Sequence, residues 1–376
     1  MTKPMVIGVV GLGAMGLGIA QVYAQAGFTV LATDAQLATL ETAKSRLAEA
    51  LADRVTAGKL TSEAREATLS NLSIVDNLRG LMPSSLIIEA IVEEIEAKRQ
   101  VFSELEKIVT EDTIFASNTS SLSIAAIAEG LSSGSRLLGL HFFNPAPVMK
   151  LVELVAHAGI DRNALLRARE VTEAAGKTVI ACPDLPGFIV NRCARPFYGE
   201  ALALLEEGRN ADEIDAAMLA ADYRIGPFGL IDLVGADINL TATKGLAKAT
   251  RFHPRYHVFD ALISQVGKGK LGRKSGSGFV FPRPPVAAPT DAGAIVLRIE
   301  ATLANEAASL MDESGMEEAD IDTALKLGLN FPRGPFQSAR LHGLSTIRET
   351  LAMLEERAPS HLKGRYRLSP ALETMI

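Results

Sequence analysis

Over residues 137–155 two apolar runs flank Asn144-Pro145-Ala146-Pro147, a segment with the composition of a turn. Pairing the runs as a hairpin about Pro147 sets His141 and Glu153, six residues to either side, opposite one another. A carboxylate in that position holds the imidazole's tautomer and supports it as a base that takes a proton from an alcohol. The same pair also suits a core histidine held in a structural ion pair. His157, His253, His257, His342 and His361 fall in polar or helical settings that suit solvated side chains.

A second chemistry is written in Gly11-Leu12-Gly13-Ala14-Met15-Gly16. This segment follows an apolar run at 5–10 and opens a helical pattern at 14–26, and Asp34 stands 21 residues past Gly13. The first glycine permits a tight turn, and the second lets backbone N–H groups approach a pyrophosphate at the positive end of the helix. The third lets helix and strand pack closely. A carboxylate at Asp34 accepts hydrogen bonds from ribose hydroxyls and repels a 2′-phosphate, which favours NAD over NADP. Ser117-Asn118-Thr119-Ser120-Ser121 follows another apolar run, at the end of a strand where open α/β sheets bind ligands. Its hydroxyls equally suit an N-cap for a helix starting near Leu122.

These residues need a scaffold. Strand-like runs at 5–10, 28–33, 72–75, 86–90, 113–116 and 137–143 alternate with helical patterns such as 39–66 and 94–109. Alternation of this kind predicts a mostly parallel, doubly wound sheet covered on both faces, a Rossmann-type α/β domain at 1–185. Beyond Pro186 long amphipathic helices take over. A proline-rich linker at 282–293 divides this all-α region into 186–281 and 294–376. The two parts align: Arg192–Glu200 on Arg298–Glu306, Asp215 on Asp322, and Gly226-Pro227-Phe228 on Gly334-Pro335-Phe336, at offsets of 106, 107 and 108. One helical unit has been duplicated, and the copies are expected to pack on each other. Asn191, beside the shared Arg192, falls opposite Leu297. A polar residue kept in one copy points to a site rather than to the common scaffold.

Composition narrows the classes of function. The chain has 376 residues, 48% of them hydrophobic and 22% charged, which is ordinary globular usage. A net charge of −6 and an aromatic content of 5% without tryptophan argue against a nucleic-acid partner. No charged residue stands between Lys3 and Asp34, but Gly8, Gly11, Gly13, Gly16, Gly18, Gln21 and Gln25 interrupt that stretch, so neither a membrane span nor a signal sequence is expected. Cys182 and Cys193 form no disulfide framework or zinc pattern, which suits a reducing, cytoplasmic setting.

GLGAMG, IIEAIVE, SNTSS, HFFNPAPVMKLVE, PGFIVNR and GKLGRKSGSGF occur in an order and spacing that resemble the L-3-hydroxyacyl-CoA dehydrogenases, over residues 6–281. The resemblance implies that His141 takes the 3-hydroxyl proton while the C3 hydride passes to NAD, with Glu153 as its carboxylate partner. It places Ser120 and Asn191 on the substrate oxygens and Asn144 near the nicotinamide. Glu93 and Lys98 match cofactor-contacting positions, although Glu94 and Lys98 as an i,i+4 pair on an exposed helix account for those charges nearly as well. For the CoA tail the family uses the helical excursion after Asp34, which here offers Lys44, Arg54 and Lys59; no metal is needed. The second helical copy looks like that of longer members such as the multifunctional fatty-acid oxidation subunits. In shorter members the helical domain dimerises, so residues 294–376 would occupy that surface within one chain and leave a monomer; a homodimer is the other arrangement. Two competing functions are an NAD-dependent dehydrogenase of a free hydroxy or sugar acid and a catalytically idle NAD-binding protein. The β-hydroxyacid dehydrogenases carry a G-x-G-x-x-x-K helix at the domain boundary, where this chain reads Glu173-Ala174-Ala175-Gly176-Lys177-Thr178.

Overall fold

The computed structural model describes residues 5–375. The chain divides into two compact units, one ending at Leu185 and the other starting at Pro186.

The first unit is built on strands β1 (Val6–Val10), β2 (Thr29–Thr33), β3 (Leu72–Ile74), β4 (Leu86–Glu89), β5 (Ile114–Ser117), β6 (Leu137–Phe142), β7 (Leu151–Ala156) and β8 (Thr178–Pro183). They form one sheet in the order β3-β2-β1-β4-β5-β6-β7-β8, parallel throughout except for the β6–β7 pair. Strands such as Leu-Ile-Ile-Glu in β4 and Ile-Phe-Ala-Ser in β5 are buried along their whole length, because helices cover both faces and leave no solvent side. The helices are α1 (Ala14–Gln25), α2 (Leu37–Thr56), α3 (Ser62–Asn71), α4 (Ile95–Leu105), α5 (Ile124–Ala128) and α6 (Arg162–Ala174). The expected helical stretch at 39–66 is therefore two helices, parted where Gly58 takes a positive φ and Thr61 caps α3. Strand β8 has no counterpart among the expected runs. From β1 the chain order runs outward in both directions, to β2 on one side and β4 on the other, so the crevice beyond the ends of β1 and β4 is the topological switch point where such sheets bind ligands.

The second unit is helical. Its N-terminal part opens with α7 (Val190–Cys193) and α8 (Arg195–Glu206), and its C-terminal part is organised around the long helix Ala292–Ser314. The two copies pack on each other, and their matched residues exchange partners. Arg192 reaches Glu306 at 2.7 Å and Glu313 at 2.6 Å, while Arg298 reaches Glu200 at 2.7 Å and Glu207 at 2.6 Å. Tyr256 donates to Glu306 at 2.5 Å and Tyr366 to Glu200 at 3.0 Å. Within each copy one aspartate accepts two backbone N–H groups at the Gly-Pro-Phe turn: Asp215 from Phe228 and Gly229, Asp322 from Phe336 and Gln337. The duplication thus persists in three dimensions as a near-symmetric pair of ion clusters. His342 departs from the expected solvated setting, since its Nε2 lies 2.5 Å from a carboxylate oxygen of the buried Glu300. Among the described residues no helix is long and apolar enough to cross a membrane.

Candidate active site

Register places the dyad. β6 and β7 pair antiparallel with His141 opposite Glu153 and Phe142 opposite Val152. His141 Nδ1 lies 2.6 Å from Glu153 Oε2, and Glu153 is fully buried while His141 is 6% exposed. A carboxylate shut away from water on one side of the ring fixes the tautomer with the proton on Nδ1, which leaves Nε2 with the lone pair a base requires. Two contacts steady the strand end that carries the histidine. The Phe142 N–H donates to Asn118 Oδ1 at 2.8 Å, and the rings of His141 and Phe143 sit 4.5 Å apart.

The β6–β7 connection is clamped from two sides. Lys177, just before β8, donates its ammonium to the carbonyls of Ala146 and Met149 at 2.6 and 2.8 Å, and burial pushes its pKa down to about 8. On the other side a Cβ added at Gly18 of α1 would stand 3.3 Å from both Ala146 and Pro147, a tight contact that glycine avoids where the helix meets the turn. Asn144, on this connection, is exposed.

At the switch point Gly11 has φ +93°, and a Cβ at Gly16 would lie 1.8 Å from the Gly11 carbonyl oxygen, so the turn closes only with glycine at both positions. Gly13 is different, because nothing lies within 4 Å of a Cβ built there. That open space faces the first residue of α1, where N–H groups and the helix dipole favour an anion. Asp34 spans the end of β2 and the turn, accepting the Leu12 N–H at 2.7 Å and the Gln36 N–H at 2.8 Å, one on each oxygen. Each oxygen keeps a lone pair for a ribose hydroxyl. The donor set fits a dinucleotide with an unphosphorylated ribose. Asp34→Asn should reduce the preference for NADH over NADPH by roughly 10- to 100-fold, read as the ratio of dissociation constants from fluorescence titration. An unchanged ratio would remove Asp34 from ribose recognition.

Beyond β4 and β5 a buried network replaces the expected surface pair. Lys98 is fully buried and lies 2.7 Å from Glu89 and 3.2 Å from Glu93, while Glu94 is the exposed N-cap residue of α4. The inward face of α4 decides this: Lys98 shares it with the buried Phe102 and Leu105 and must find its carboxylates inside. Glu89 also accepts from the Ile91 N–H and the Ser117 hydroxyl. Glu93 gathers the following loop, accepting from Thr119 Oγ1 at 2.6 Å, Ser120 N at 2.9 Å and Ser121 Oγ at 3.1 Å. Burial alone would raise the Glu93 carboxyl, but the Thr119 hydroxyl, the Lys98 ammonium and the Ser120 N–H outweigh it and hold its pKa low. The Ser117–Ser121 segment is therefore not the helix cap; that duty falls to Ser123, which accepts the Ala126 N–H at the start of α5. The sequence assigns no role to Glu89 or Lys177, although a charged residue closing an apolar run, as Glu89 does in Leu-Ile-Ile-Glu, is a signal that points to the first.

The proposed CoA contacts lie along the excursion after β2. Lys44 and Arg54 stand on α2, with the Lys44 ammonium 3.4 Å from the Leu72 carbonyl, and the exposed Lys59 follows the helix. Arg46, one turn before Ala50, reaches back to the Leu12 carbonyl in the glycine turn at 3.1 Å. Asn191 belongs to the second unit, in α7, where its backbone carbonyl accepts from Arg195 Nε at 3.1 Å.

Comparison with known proteins agrees across the chain. Residues 6–185 match the family model described as 3-hydroxyacyl-CoA dehydrogenase, NAD binding domain, and residues 187–281 and 293–376 each match the C-terminal domain of the same family. A 3-hydroxyadipyl-CoA dehydrogenase of Escherichia coli is 42% identical over 282 residues, which cover 74% of this chain and 59% of that relative's length. A 3-hydroxybutyryl-CoA dehydrogenase of Mycobacterium tuberculosis is 39% identical over 278 residues, covering 73% of this chain and 96% of the relative. The crystal structure of a 3-hydroxybutyryl-CoA dehydrogenase from Escherichia coli K12 superposes with a TM-score of 0.91 at 30% identity, covering 99% of this chain and 98% of the other.

Proposed function

This chain belongs to the 3-hydroxyacyl-CoA dehydrogenase family, an NAD-dependent oxidoreductase family, and from that premise we propose that it interconverts (S)-3-hydroxyacyl-CoA and 3-oxoacyl-CoA in acyl-CoA degradation, with His141 as the general base. The observation that carries the assignment of the base is the buried 2.6 Å contact between His141 Nδ1 and Glu153. NAD, when bound, supplies the hydride acceptor for C3 of the substrate.

The protein's own part is to move one proton and hold the reacting atoms. His141 Nε2 accepts the 3-hydroxyl proton, and the Glu153 carboxylate stabilises the imidazolium that results. The Ser120 hydroxyl, oriented through Glu93, and the Asn191 amide hydrogen-bond the substrate oxygens. Asn144 stands at the nicotinamide end, while Gly11, Gly13, Gly16, Asp34 and Glu93 hold the dinucleotide, with the buried Lys98 acting through Glu93. Lys44, Arg54 and Lys59 receive the CoA tail. The names of the relatives span a four-carbon acyl group and one ending in a carboxylate, so this reading stops at the thioester class.

The test is NADH consumption by the full chain with acetoacetyl-CoA beside free acetoacetate at equal concentration. Oxidation with the thioester alone is the expected result. Oxidation with the free acid alone would move the protein to the hydroxyacid class and leave the CoA contacts without a role.

A further inference from the structure

Among the described residues the second unit buries three arginines, Arg192, Arg195 and Arg365, and two of these, like the part-exposed Arg298, sit among carboxylates. Arg192 meets Glu306 and Glu313, and Arg365 meets Glu200. Arg298 meets Glu200 and Glu207. The remaining buried arginine, Arg195, is 8% exposed and has no carboxylate partner among the described residues. Its Nε donates to the Asn191 carbonyl at 3.1 Å and its Nη1 to the Thr243 hydroxyl at 3.1 Å. The guanidinium carbon stands 4.8 Å from the centre of the Tyr198 ring. Nη2 makes no hydrogen bond among the described residues. Burying a cation without an anion costs several kcal/mol, and two neutral acceptors with one ring recover only part of that.

The duplicated unit keeps its helix without an arginine at this position. At the offset of 106 that superposes Arg192 on Arg298 and Glu200 on Glu306, Arg195 falls opposite Ala301. Asn191 is the neighbouring polar residue that also lacks a counterpart, since it falls opposite Leu297. The two stand four residues apart on consecutive helical turns and so share a face.

We propose that Arg195 is a specificity-determining residue that receives a carboxylate at the far end of the acyl chain, so that the preferred substrate is a short 3-hydroxyacyl thioester ending in a carboxylate. The proposal rests on the reading above, in which Asn191 touches the substrate oxygens. The anions an acyl-CoA can carry are the phosphates of its CoA and, in a diacid thioester, a carboxylate at the end of the acyl chain. The phosphates of the CoA lie roughly 15 Å from the thioester along the pantetheine arm, whereas Arg195 is one helical turn, about 5 Å, from Asn191. A group that close to the reacting carbons belongs to the acyl chain. Three carbons beyond C3, as in a six-carbon diacid, span about 4 Å and bring the carboxylate within reach. A guanidinium is suited to this duty, because its planar fork takes both oxygens of a carboxylate and its charge persists under burial.

The decisive experiment compares (S)-3-hydroxyadipyl-CoA with (S)-3-hydroxyhexanoyl-CoA, which has the same chain length and no terminal carboxylate, as substrates of the full chain with NAD. The wild-type protein should favour the diacid thioester by about 100-fold in kcat/KM. In Arg195→Met that ratio should collapse towards one, and Arg195→Lys should recover part of it. A variant-free arm uses inhibition of the wild-type enzyme, in which adipyl-CoA should bind more tightly than hexanoyl-CoA. Equal or better use of the hexanoyl thioester by the wild type would overturn the proposal. So would an Arg195→Met variant that loses both substrates in equal proportion, because that result marks a residue that merely holds Asn191. A wild type that consumes NADH with acetoacetyl-CoA but oxidises neither six-carbon thioester, or only the hexanoyl one, keeps the dehydrogenase reading and removes this proposal, whereas failure with all three thioesters removes both.

Discussion

His141→Gln should lower kcat with acetoacetyl-CoA or its 3-hydroxy counterpart by about 10³- to 10⁴-fold while NADH binds as before. Glutamine matches the size of the imidazole and can still meet Glu153, so the strand pair should survive. What it lacks is a nitrogen that accepts a proton and holds it as a cation. Without that group the 3-hydroxyl must give its proton to water while the hydride leaves, and the catalytic gain of a positioned base is lost. Dinucleotide binding should persist because its determinants lie elsewhere, in the turn after β1 and at Asp34 at the end of β2. Steady-state turnover and NADH fluorescence titration on the same preparation separate the two effects. Near-normal turnover would remove His141 as the base, and loss of NADH binding alongside turnover would mean that the substitution had damaged the domain rather than the chemistry.

A comparably large effect is expected on stability from Glu306→Leu. This carboxylate is fully buried and accepts from Arg192 at 2.7 Å, Tyr256 at 2.5 Å and Arg255 at 3.5 Å. Leucine is of similar volume, so packing is largely kept and the loss is electrostatic. Arg192 would retain Glu313, but the Tyr256 hydroxyl would be stranded in an apolar setting and two guanidinium groups would face each other without their shared anion. Breaking a buried pair from one side costs about 3–5 kcal/mol. For a unit of this size that is roughly 10 °C in Tm, readable by calorimetry or circular dichroism. A shift of less than about 2 °C would show that the cluster contributes position rather than stability.

The parts of the site that were legible in the sequence are those whose geometry is local. The turn after β1 follows from glycines spaced within six residues. The facing of His141 and Glu153 follows from the period of two along paired strands, together with a Pro-rich turn that leaves little choice of register. The parts that were not legible depend on which way a side chain turns. Lys98 is four residues from Glu94 on one helix and nine from Glu89 on a strand, and the nearer partner looked sufficient; only the docking of α4 on the sheet sends its ammonium inward to Glu89 and Glu93. Lys177 has no local signal beyond following Gly176, yet it clamps two carbonyls about thirty positions earlier in the chain. His342 looks like the solvated end of a helix and instead faces Glu300 from another one. Strand β8, Thr-Val-Ile-Ala-Cys-Pro, was obscured because its alternation stops at the boundary of the unit, where proline and glycine follow. The repeat alignment matched Arg192 with Arg298 and Glu200 with Glu306, but it could not show that each arginine crosses to the other copy's glutamate.

That crossing removes protein concentration from the balance between the two helical halves. If the same ion clusters joined separate chains, their assembly would follow mass action and weaken on dilution. Here both halves are carried by a single polypeptide through the linker at 282–293, so each arginine meets its glutamate at an effective concentration set by tether length alone. The clusters should therefore stay closed in a cell that makes only a few copies of the protein, as firmly as in one that makes many.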